Sequence, residues 1–297
     1  MSWPRIKSPD PSLIQATWLG HATFLIQMEG VNILCDPVFS HRCSPFSFMG
    51  PARFTPPACT IPELLEEVKV DVVIISHNHY DHLDVETIKA LGPEVHYFVP
   101  LRNKAWFDSY SYPHVTELDW WNEQTLTLPG DRQLKIACTP CQHFSGRGVL
   151  DRMATLWASW VIIGQKHGKR FYFAGDTGYR SVSKAGTTTT TCPAFPQIGT
   201  TYGPFDLSCI PIGAYSPRHI MSPVHCAPED SVELHKDVKS KKSVGMHWGT
   251  FVLTDEPVNE PPVRLRKAAE GAGLGVGEFV TVDIGETIAS ETEEGKN

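Results

Sequence analysis

His77-Asn78-His79-Tyr80-Asp81-His82 is the stretch that decides the fold, because it places three histidines and an aspartate within six residues. It follows residues 70–75, a mostly apolar run that predicts a buried strand. The polar side chains therefore lie on the loop that leaves the carboxyl end of that strand. Imidazole and carboxylate groups together suit zinc and other first-row metals. A polar surface loop is the alternative, and we disfavour it because matching residues recur later in the chain.

Composition restricts the class of protein. The 297 residues suffice for one large domain or two small ones, and 41% of them are hydrophobic, as in ordinary globular proteins. The formal charge of −7 predicts no nucleic-acid partner. No apolar stretch approaches the roughly 20 residues of a membrane span, and the N-terminus lacks the apolar core of a secretory signal. Eight scattered cysteines predict an intracellular protein whose thiols are mostly reduced and buried.

The order of strand-like and helix-like segments predicts the architecture. Short strand patterns come first, as at residues 23–28 and 31–35, and helix patterns such as 228–238 are interspersed among later strands. The repeated alternation predicts two mixed β-sheets packed face to face with helices outside. We expect three parts, which are an extended lead-in over residues 1–15, one domain over residues 16–285 and a flexible acidic tail over residues 286–297. The threonine-rich residues 180–191 predict a surface loop.

Three later segments repeat the arrangement of the first motif, a strand followed by a ligand. His143 follows one predicted strand, Asp176 follows another, and His247 follows a third. Ligand sites in sheet proteins gather at the carboxyl ends of strands, so these side chains can converge on one cleft. Taken alone, His143 or His247 is more often a structural histidine, but the shared context favours a site.

The number of candidate ligands is sufficient for two metal ions. One ion would be bound by three histidines: His77, His79 and His143. The other would be bound by an aspartate and two histidines: Asp81, His82 and His247. Asp176 has two carboxylate oxygens and could bridge them. A pair of metals about 3.5–4 Å apart can hold a hydroxide between them and bind both reacting oxygens of a displacement.

These residues resemble the metallo-β-lactamase superfamily. Further segments resemble the phospholipases D of that superfamily that hydrolyse N-acylphosphatidylethanolamine, and the resemblance covers roughly residues 17–280. The segments that carry it include Leu19-Gly20-His21, Asp36-Pro37-Val38, Glu117-Leu118-Asp119-Trp120-Trp121 and His247-Trp248-Gly249-Thr250. The chain departs from the usual pattern where Phe144 replaces a tryptophan after His143, and in the threonine run near residues 187–191.

The resemblance implies an αββα sandwich that binds two Zn²⁺ ions per chain. It implies that a hydroxide between the zinc ions attacks phosphorus, which releases an N-acylethanolamine and phosphatidic acid. Asp81 and Asp176 would be catalytic through the metals. His225 matches a family histidine near the substrate, where it would contact the substrate or assist the leaving group, although it could be a simple loop histidine.

Three further side chains are candidates for the layer behind the ligands. The carboxylates of Asp36 and Asp84 could orient ligating imidazoles, although Asp84 could instead only cap a helix. His21 could lie near the site or simply end a strand.

A diacyl lipid substrate would need an apolar landing surface. The loop containing Phe46 and Phe48 predicts one, with Arg53 positioned to meet lipid phosphates. The alternative is that these aromatic side chains pack beneath the loop. We therefore expect phospholipid and a membrane surface as partners, with a homodimer possible, in a cytoplasmic protein peripherally associated with internal membranes.

Three other functions are compatible with parts of this pattern. A sugar lactonase would keep the metals but would require a polar pocket. A nuclease or other phosphodiesterase would keep them too, although a nuclease needs a basic face. A non-catalytic lipid-binding protein is disfavoured because none of the seven candidate ligands has been replaced.

Overall fold

The computed structural model of the chain describes residues 1–188 and 190–290, and its strands form two seven-stranded sheets. In spatial order the first sheet contains β14 (Thr287–Ala289), β1 (Gln15–Gly20), β2 (Thr23–Met28), β3 (Val31–Cys35), β4 (Val72–Ile74), β5 (His96–Pro100) and β6 (Val115–Leu118). The second contains β13 (Phe279–Val280), β12 (Ser243–Met246), β11 (Leu207–Pro211), β10 (Arg170–Phe173), β9 (Ser159–Gly164), β8 (Arg132–Thr139) and β7 (Glu123–Leu128).

Both sheets are mixed in the same way. In the first sheet β14, β1, β2 and β3 are antiparallel, and β3 to β6 are parallel. In the second sheet β7 to β10 are antiparallel, and β10 to β13 are parallel. The strands that precede the predicted ligands are the parallel strands β4, β10 and β12 together with β8. The prediction of two mixed sheets is confirmed.

The main core lies between the two sheets. Along β2, Phe24 and Ile26 join the cluster that includes both sheets, whereas Leu25 faces the helices on the other side. Strands that are covered on both faces read as continuous apolar runs, which explains why β4 contains only Val72, Val73 and Ile74. Each fully buried aliphatic or aromatic side chain stabilises the fold by about 1.5–3 kcal/mol.

Helices cover the outer face of each sheet. Ile61, Leu64 and Ile88 pack on the first sheet, and Phe195 and Val232 pack with the second. The helices are α1 (Trp3–Lys7), α2 (Ile61–Glu67), α3 (Val85–Leu91), α4 (Lys104–Asp108), α5 (Ala194–Thr201), α6 (Arg218–Met221), α7 (Pro228–Asp237) and α8 (Glu260–Gly271). The order helix, sheet, sheet, helix is the αββα arrangement that the resemblance implied.

Both ends of the chain differ from the prediction. The lead-in contains α1 because Ile6 is buried against the first sheet, and Gln27 Nε2 donates to its carbonyl at 2.9 Å. The predicted tail contributes β14, which pairs with β1 and places the hydroxyls of Thr17 and Thr287 2.8 Å apart. Residues 291–297 of that tail lie outside the described residues.

The remaining bulk predictions can be compared directly. All eight cysteines are free and seven are buried, as expected for reduced thiols. In the threonine-rich segment, half-buried Val182 and exposed Thr188 form an isolated bridge, and residue 189 lies outside the described part. Within the described ranges, no helix is both long and apolar enough to span a membrane.

Candidate metal centre

The residues after β4 form a tight turn that directs several polar side chains inward. We name residues 76–84 the ligand loop. The backbone N–H groups of His82 and Leu83 both donate to the carbonyl of His79, at 3.1 and 2.9 Å. This turn brings the alternating residues of the motif to one side, where His77 and His82 are fully buried. The loop therefore supplies four candidate ligands from one short segment.

The first ligand group consists of His77, His79 and His143. His77 Nε2 lies 2.8 Å from His79 Nδ1, and His143 Nε2 lies 3.3 Å from that same atom. Nitrogens that bind one zinc ion at about 2.0–2.1 Å in a tetrahedral arrangement are about 3.3 Å apart. The three nitrogens are thus spaced as a trio of metal ligands would be.

The second ligand group consists of Asp81, His82 and His247. The Nε2 atoms of His82 and His247 each lie 3.5 Å from Asp81 Oδ2. Both nitrogens also lie 3.1 Å from Asp176 Oδ2, while His77 and His143 of the first group lie 4.0 and 3.8 Å from that oxygen. One oxygen of Asp176 therefore stands between the two groups, in the position expected of a bridging ligand.

Unsatisfied polar atoms test whether a cation fits this cluster. His82 Nε2, His247 Nε2 and Asp176 Oδ1 are buried and make no hydrogen bond to the described residues. The two nitrogens approach Asp176 Oδ2 closely but without hydrogen-bond geometry. Buried polar atoms without partners are costly and rare in native proteins. A cation bound at the centre would satisfy all three, and the donor set of imidazole and carboxylate suits zinc.

A single buried carboxylate organises two of the histidines from behind. Asp36 Oδ2 accepts a hydrogen bond from His82 Nδ1 at 2.6 Å, and the Ser76 hydroxyl donates to the same oxygen at 2.5 Å. The Ser76 hydroxyl also lies 2.8 Å from His77 Nδ1. Both imidazoles therefore hold a proton on Nδ1 and turn Nε2 toward the centre. Asp36 has the predicted position behind the ligands, whereas sequence reasoning missed Ser76, whose one signal is that it directly precedes His77.

Other contacts fix two more members of the cluster. His143 Nδ1 lies 2.8 Å from the carbonyl of Val224, so it donates there and leaves Nε2 free. His21 Nε2 lies 3.0 Å from Asp81 Oδ2, which places His21 beside the second ligand group rather than only at the end of a strand. No local sequence pattern could have revealed the Val224 carbonyl, because it lies 81 residues away from His143 along the chain.

His247 is held by an unusual backbone position. Its φ angle is 63°, and its N–H donates to the carbonyl of His21 at 3.1 Å. A Cβ atom at Gly213 would lie 1.9 Å from the His247 carbonyl oxygen. Gly213 must therefore be glycine for the segment that follows β11 to pass this close to His247.

The buried charges shift the pKa values of the cluster in opposite directions. Burial and neighbouring imidazoles hold the pKa of His77 well below its ordinary value, and burial does the same for His143. Burial also disfavours protonation of His247, but the carboxylates of Asp176 and Asp81 outweigh it and raise the pKa of His247 to about 9. The pKa of Asp176 is held well below its ordinary value because nearby imidazoles outweigh its burial. The centre therefore keeps its aspartate ionised, which is the form that binds cations.

His225 lies at the edge of this cluster. It is 8% exposed, and its Nε2 lies 3.9 Å from Asp176 Oδ2. Burial lowers the pKa of His225 to about 4, so the ring is neutral at neutral pH. Its Nδ1 is buried and has no hydrogen-bond partner in residues 1–188 and 190–290. His225 therefore directs one ring nitrogen toward the centre and leaves the other without a partner in the described part of the chain.

Asp84 does not have the predicted position behind an imidazole. Its carboxylate accepts hydrogen bonds from the backbone N–H groups of Phe39 and Ser40 and from the hydroxyls of Ser40 and Thr87, at 2.5–3.2 Å. Asp84 precedes α3 but makes no side-chain cap there. Its acceptor capacity is thus used to fasten residues 39–40 to the start of that helix.

The predicted landing loop is exposed, but its arginine is not. Phe46 is 48% exposed and Phe48 is 76% exposed, so these rings do not pack beneath the loop. Arg53 is instead buried, donating from Nη2 to the Val38 carbonyl at 2.9 Å and lying over the Phe251 ring. The prediction that Arg53 meets lipid phosphates is wrong, because packing against Phe251 draws its side chain inward.

Comparison with known proteins agrees with this geometry. A model of the β-lactamase superfamily domain matches residues 31–248. The solved structure of a metallo hydrolase from Ignicoccus hospitalis superposes with a TM-score of 0.64 at 23% identity, covering 95% of this chain and all of that one. At that identity the likeness shows the fold alone.

Two relatives are more informative at the level of sequence. The N-acyl-phosphatidylethanolamine-hydrolyzing phospholipase D 1 of Caenorhabditis elegans is 41% identical over 91% of this chain and 74% of its own length. The mitochondrial N-acyl-phosphatidylethanolamine-hydrolyzing phospholipase D of Saccharomyces cerevisiae is 34% identical over 87% of this chain and 52% of its own length. The chain therefore belongs to the β-lactamase superfamily of metal-dependent hydrolases, in the family that includes the N-acyl-phosphatidylethanolamine-hydrolyzing phospholipases D.

Proposed function

We propose that this protein is a zinc-dependent phospholipase D that hydrolyses N-acylphosphatidylethanolamine to an N-acylethanolamine and phosphatidic acid. The observation that carries the proposal is the meeting of the two ligand groups at Asp176 Oδ2. The relative that is 41% identical supports the choice of substrate. When bound, two zinc ions would activate water near neutral pH and neutralise the charge that develops on the phosphate.

The chain's own residues would hold and orient this chemistry. The first ligand group would hold one zinc and the second would hold the other, with Asp176 shared between them. Asp36 and Ser76 would keep His82 and His77 in the tautomer that presents Nε2. Ser or Cys nucleophiles have no role in this scheme, so we expect no covalent enzyme intermediate.

His225 would contact the phosphate group of the substrate. Its neutral ring carries one proton, and a ring nitrogen beside Asp176 can donate a hydrogen bond to a phosphate oxygen or to the leaving oxygen. His225→Gln keeps a hydrogen-bonding side chain of similar reach. We expect it to bind zinc normally and to lower kcat by about 100-fold, as is typical for loss of a positioned proton donor.

Product analysis tests the proposal directly. Zinc-loaded protein is incubated with N-acylphosphatidylethanolamine in mixed micelles beside His79→Ala, and the products are identified by mass spectrometry. We expect equal amounts of N-acylethanolamine and phosphatidic acid, and neither product from the variant. Zinc-loaded protein that releases neither product would refute the substrate and would leave another phosphodiester, a sugar lactone or simple lipid binding to be tested.

We also propose that the protein acts at the surface of an internal cellular membrane, to which it binds peripherally. The support is a group of exposed apolar side chains close together in the sequence, comprising Phe46, Phe48, Met49 and Phe54, in which the rings of Phe46 and Phe48 lie 5.6 Å apart. Apolar side chains of this kind enter the headgroup region of a bilayer. Val149, Leu150 and Met153 are also exposed, on a separate loop that sequence reasoning did not single out.

Paired substitutions test this landing surface. We expect Phe46→Ser together with Phe48→Ser to weaken binding to phosphatidylcholine vesicles by about 10-fold or more, at about 25 cal/mol per Å² of apolar surface. Vesicle flotation measures the effect, and hydrolysis of a water-soluble phosphodiester shows whether the centre is intact. Unchanged vesicle binding would remove these two side chains from the landing surface.

A further inference from the structure

Arg147 is not a candidate ligand, yet its side chain holds the ligand loop at two points. Its Nη1 donates to the carbonyl of Asn78 at 2.9 Å and to the carbonyl of Leu83 at 2.8 Å. These two carbonyls lie on either side of the turn that carries His79, Asp81 and His82. One guanidinium nitrogen therefore fixes the distance between the two ends of that turn.

The same guanidinium also packs on the middle of the turn. Its central carbon lies 3.9 Å from the centroid of the Tyr80 ring. A guanidinium can stack on an aromatic face while its N–H groups donate in the plane of the group. Arg147 thus contacts the start, the middle and the end of the turn.

The segment that carries Arg147 is itself tied down. Gly146 N–H donates to the Asn78 side-chain oxygen at 2.8 Å, which adds a second bond to the same end of the ligand loop. The Asp151 carboxylate accepts from the backbone N–H groups of Arg147 and Gly148, at 2.8 and 2.7 Å. Because His143 precedes this segment by only three residues, the contacts also join the His143 ligand to the ligand loop.

The contacts are of the kind that set metal affinity without touching metal. Ligands bind tightly when they are already in place, and groups behind them that hold their position typically change metal affinity by 10- to 100-fold. We infer that Arg147 is a positioning residue that closes the ligand loop and thereby raises the zinc affinity of the centre. The inference rests on the proposed metal centre but not on the identity of the substrate.

The test compares three variants with the unaltered protein. Arg147→Met keeps an unbranched side chain about as long as the aliphatic stem of arginine and removes the guanidinium with its donors. In Arg147→Lys, one ammonium can still reach the carbonyls but cannot stack as a plane on Tyr80. Arg152→Met is the matched control, because Arg152 stacks on Phe144 in the same segment at 4.3 Å, one layer away from the ligand loop.

Two measurements report the effect without any substrate. The first is hydrogen exchange of the metal-free protein, read at the amides of His82 and Leu83 that donate to His79. The second is Zn²⁺ affinity by competition with a chromogenic chelator. We expect Arg147→Met to speed that exchange by about 10-fold or more and to weaken zinc binding by about 10- to 100-fold, with Arg147→Lys between it and the unaltered protein. Arg152→Met should leave both unchanged.

Several outcomes would overturn the inference. Unchanged exchange and zinc affinity in Arg147→Met would do so, and so would an equal effect in Arg152→Met, which would indicate general loosening of the segment. If Arg147→Met does not fold, Arg147→Lys must show both changes for the inference to stand. A protein that binds zinc as expected but cleaves no N-acylphosphatidylethanolamine would refute the proposed substrate alone.

Discussion

The two ligand groups of the centre are supported by different kinds of chemical group. Behind the first, His77 meets the uncharged Ser76 hydroxyl and His143 meets the Val224 carbonyl. Behind the second, His82 meets the Asp36 carboxylate directly. A carboxylate raises the basicity of the imidazole that it contacts more than an uncharged acceptor does, because it stabilises positive charge on the ring. The difference leads us to expect that the second group holds its zinc more tightly than the first.

Asp176 is the residue that the two ligand groups share, so its substitution should have the largest effect on metal content and activity. In Asp176→Asn the shared negative charge is gone, and several kcal/mol of transition-state stabilisation would be lost with it, or about 10³-fold in kcat. We expect metal content to fall from about two ions to about one per chain. Elemental analysis after dialysis measures the metal, and product formation measures the rate.

Asp206→Asn provides a control for the loss of a buried carboxylate. Asp206 pairs with Lys241 at 2.8 Å and accepts from the backbone of Arg170, outside the metal centre. We expect Asp206→Asn to lower the melting temperature of the protein and to leave its metal content unchanged. Two tightly held ions in Asp176→Asn would show that the groups do not depend on their shared oxygen.

Asp36 is the residue on which the comparison between the groups depends. We expect Asp36→Asn to weaken the tighter of the two zinc-binding steps by about 10- to 100-fold, because the partner of His82 loses its charge. Stepwise removal of zinc by a chelator resolves the two steps. If only the weaker step changes, the assignment of the tighter site to the second ligand group is wrong.

The candidate ligands could be predicted from the sequence more readily than the hydrogen bonds that orient them. His77, His79, Asp81 and His82 lie in one short motif after an apolar strand, so both the pattern and its position were visible. That they bind metal stays a prediction, but their convergence with Asp176 follows from strand ends meeting at one edge. The Val224 carbonyl and the Arg147 contacts depend on segments that meet only in the folded chain.

The fold was predictable to a similar extent. Two mixed sheets were indicated by the repeated strand patterns, yet β14 was missed because it is three residues long and pairs with β1, which lies about 270 residues away. The burial of Arg53 was missed for a related reason. Arg53 packs against Phe251, which is distant in the sequence, so the residues next to Arg53 along the chain did not indicate that its side chain is buried.

Ser76 offers the smallest test of the comparison. Ser76→Ala removes an uncharged partner from His77 and keeps the backbone N–H that donates to Asp36 at 2.7 Å. An uncharged hydrogen bond contributes about 0.5–1.5 kcal/mol, so the weaker zinc step should lose about 2- to 10-fold in affinity. The hydroxyl also donates to Asp36, but the carboxylate keeps His82 as a partner, and the tighter step should change less. Stepwise chelator competition on Ser76→Ala beside Asp36→Asn measures both steps. A larger loss in Ser76→Ala than in Asp36→Asn would mean that the hydroxyl, and not the carboxylate, is the main support of the centre.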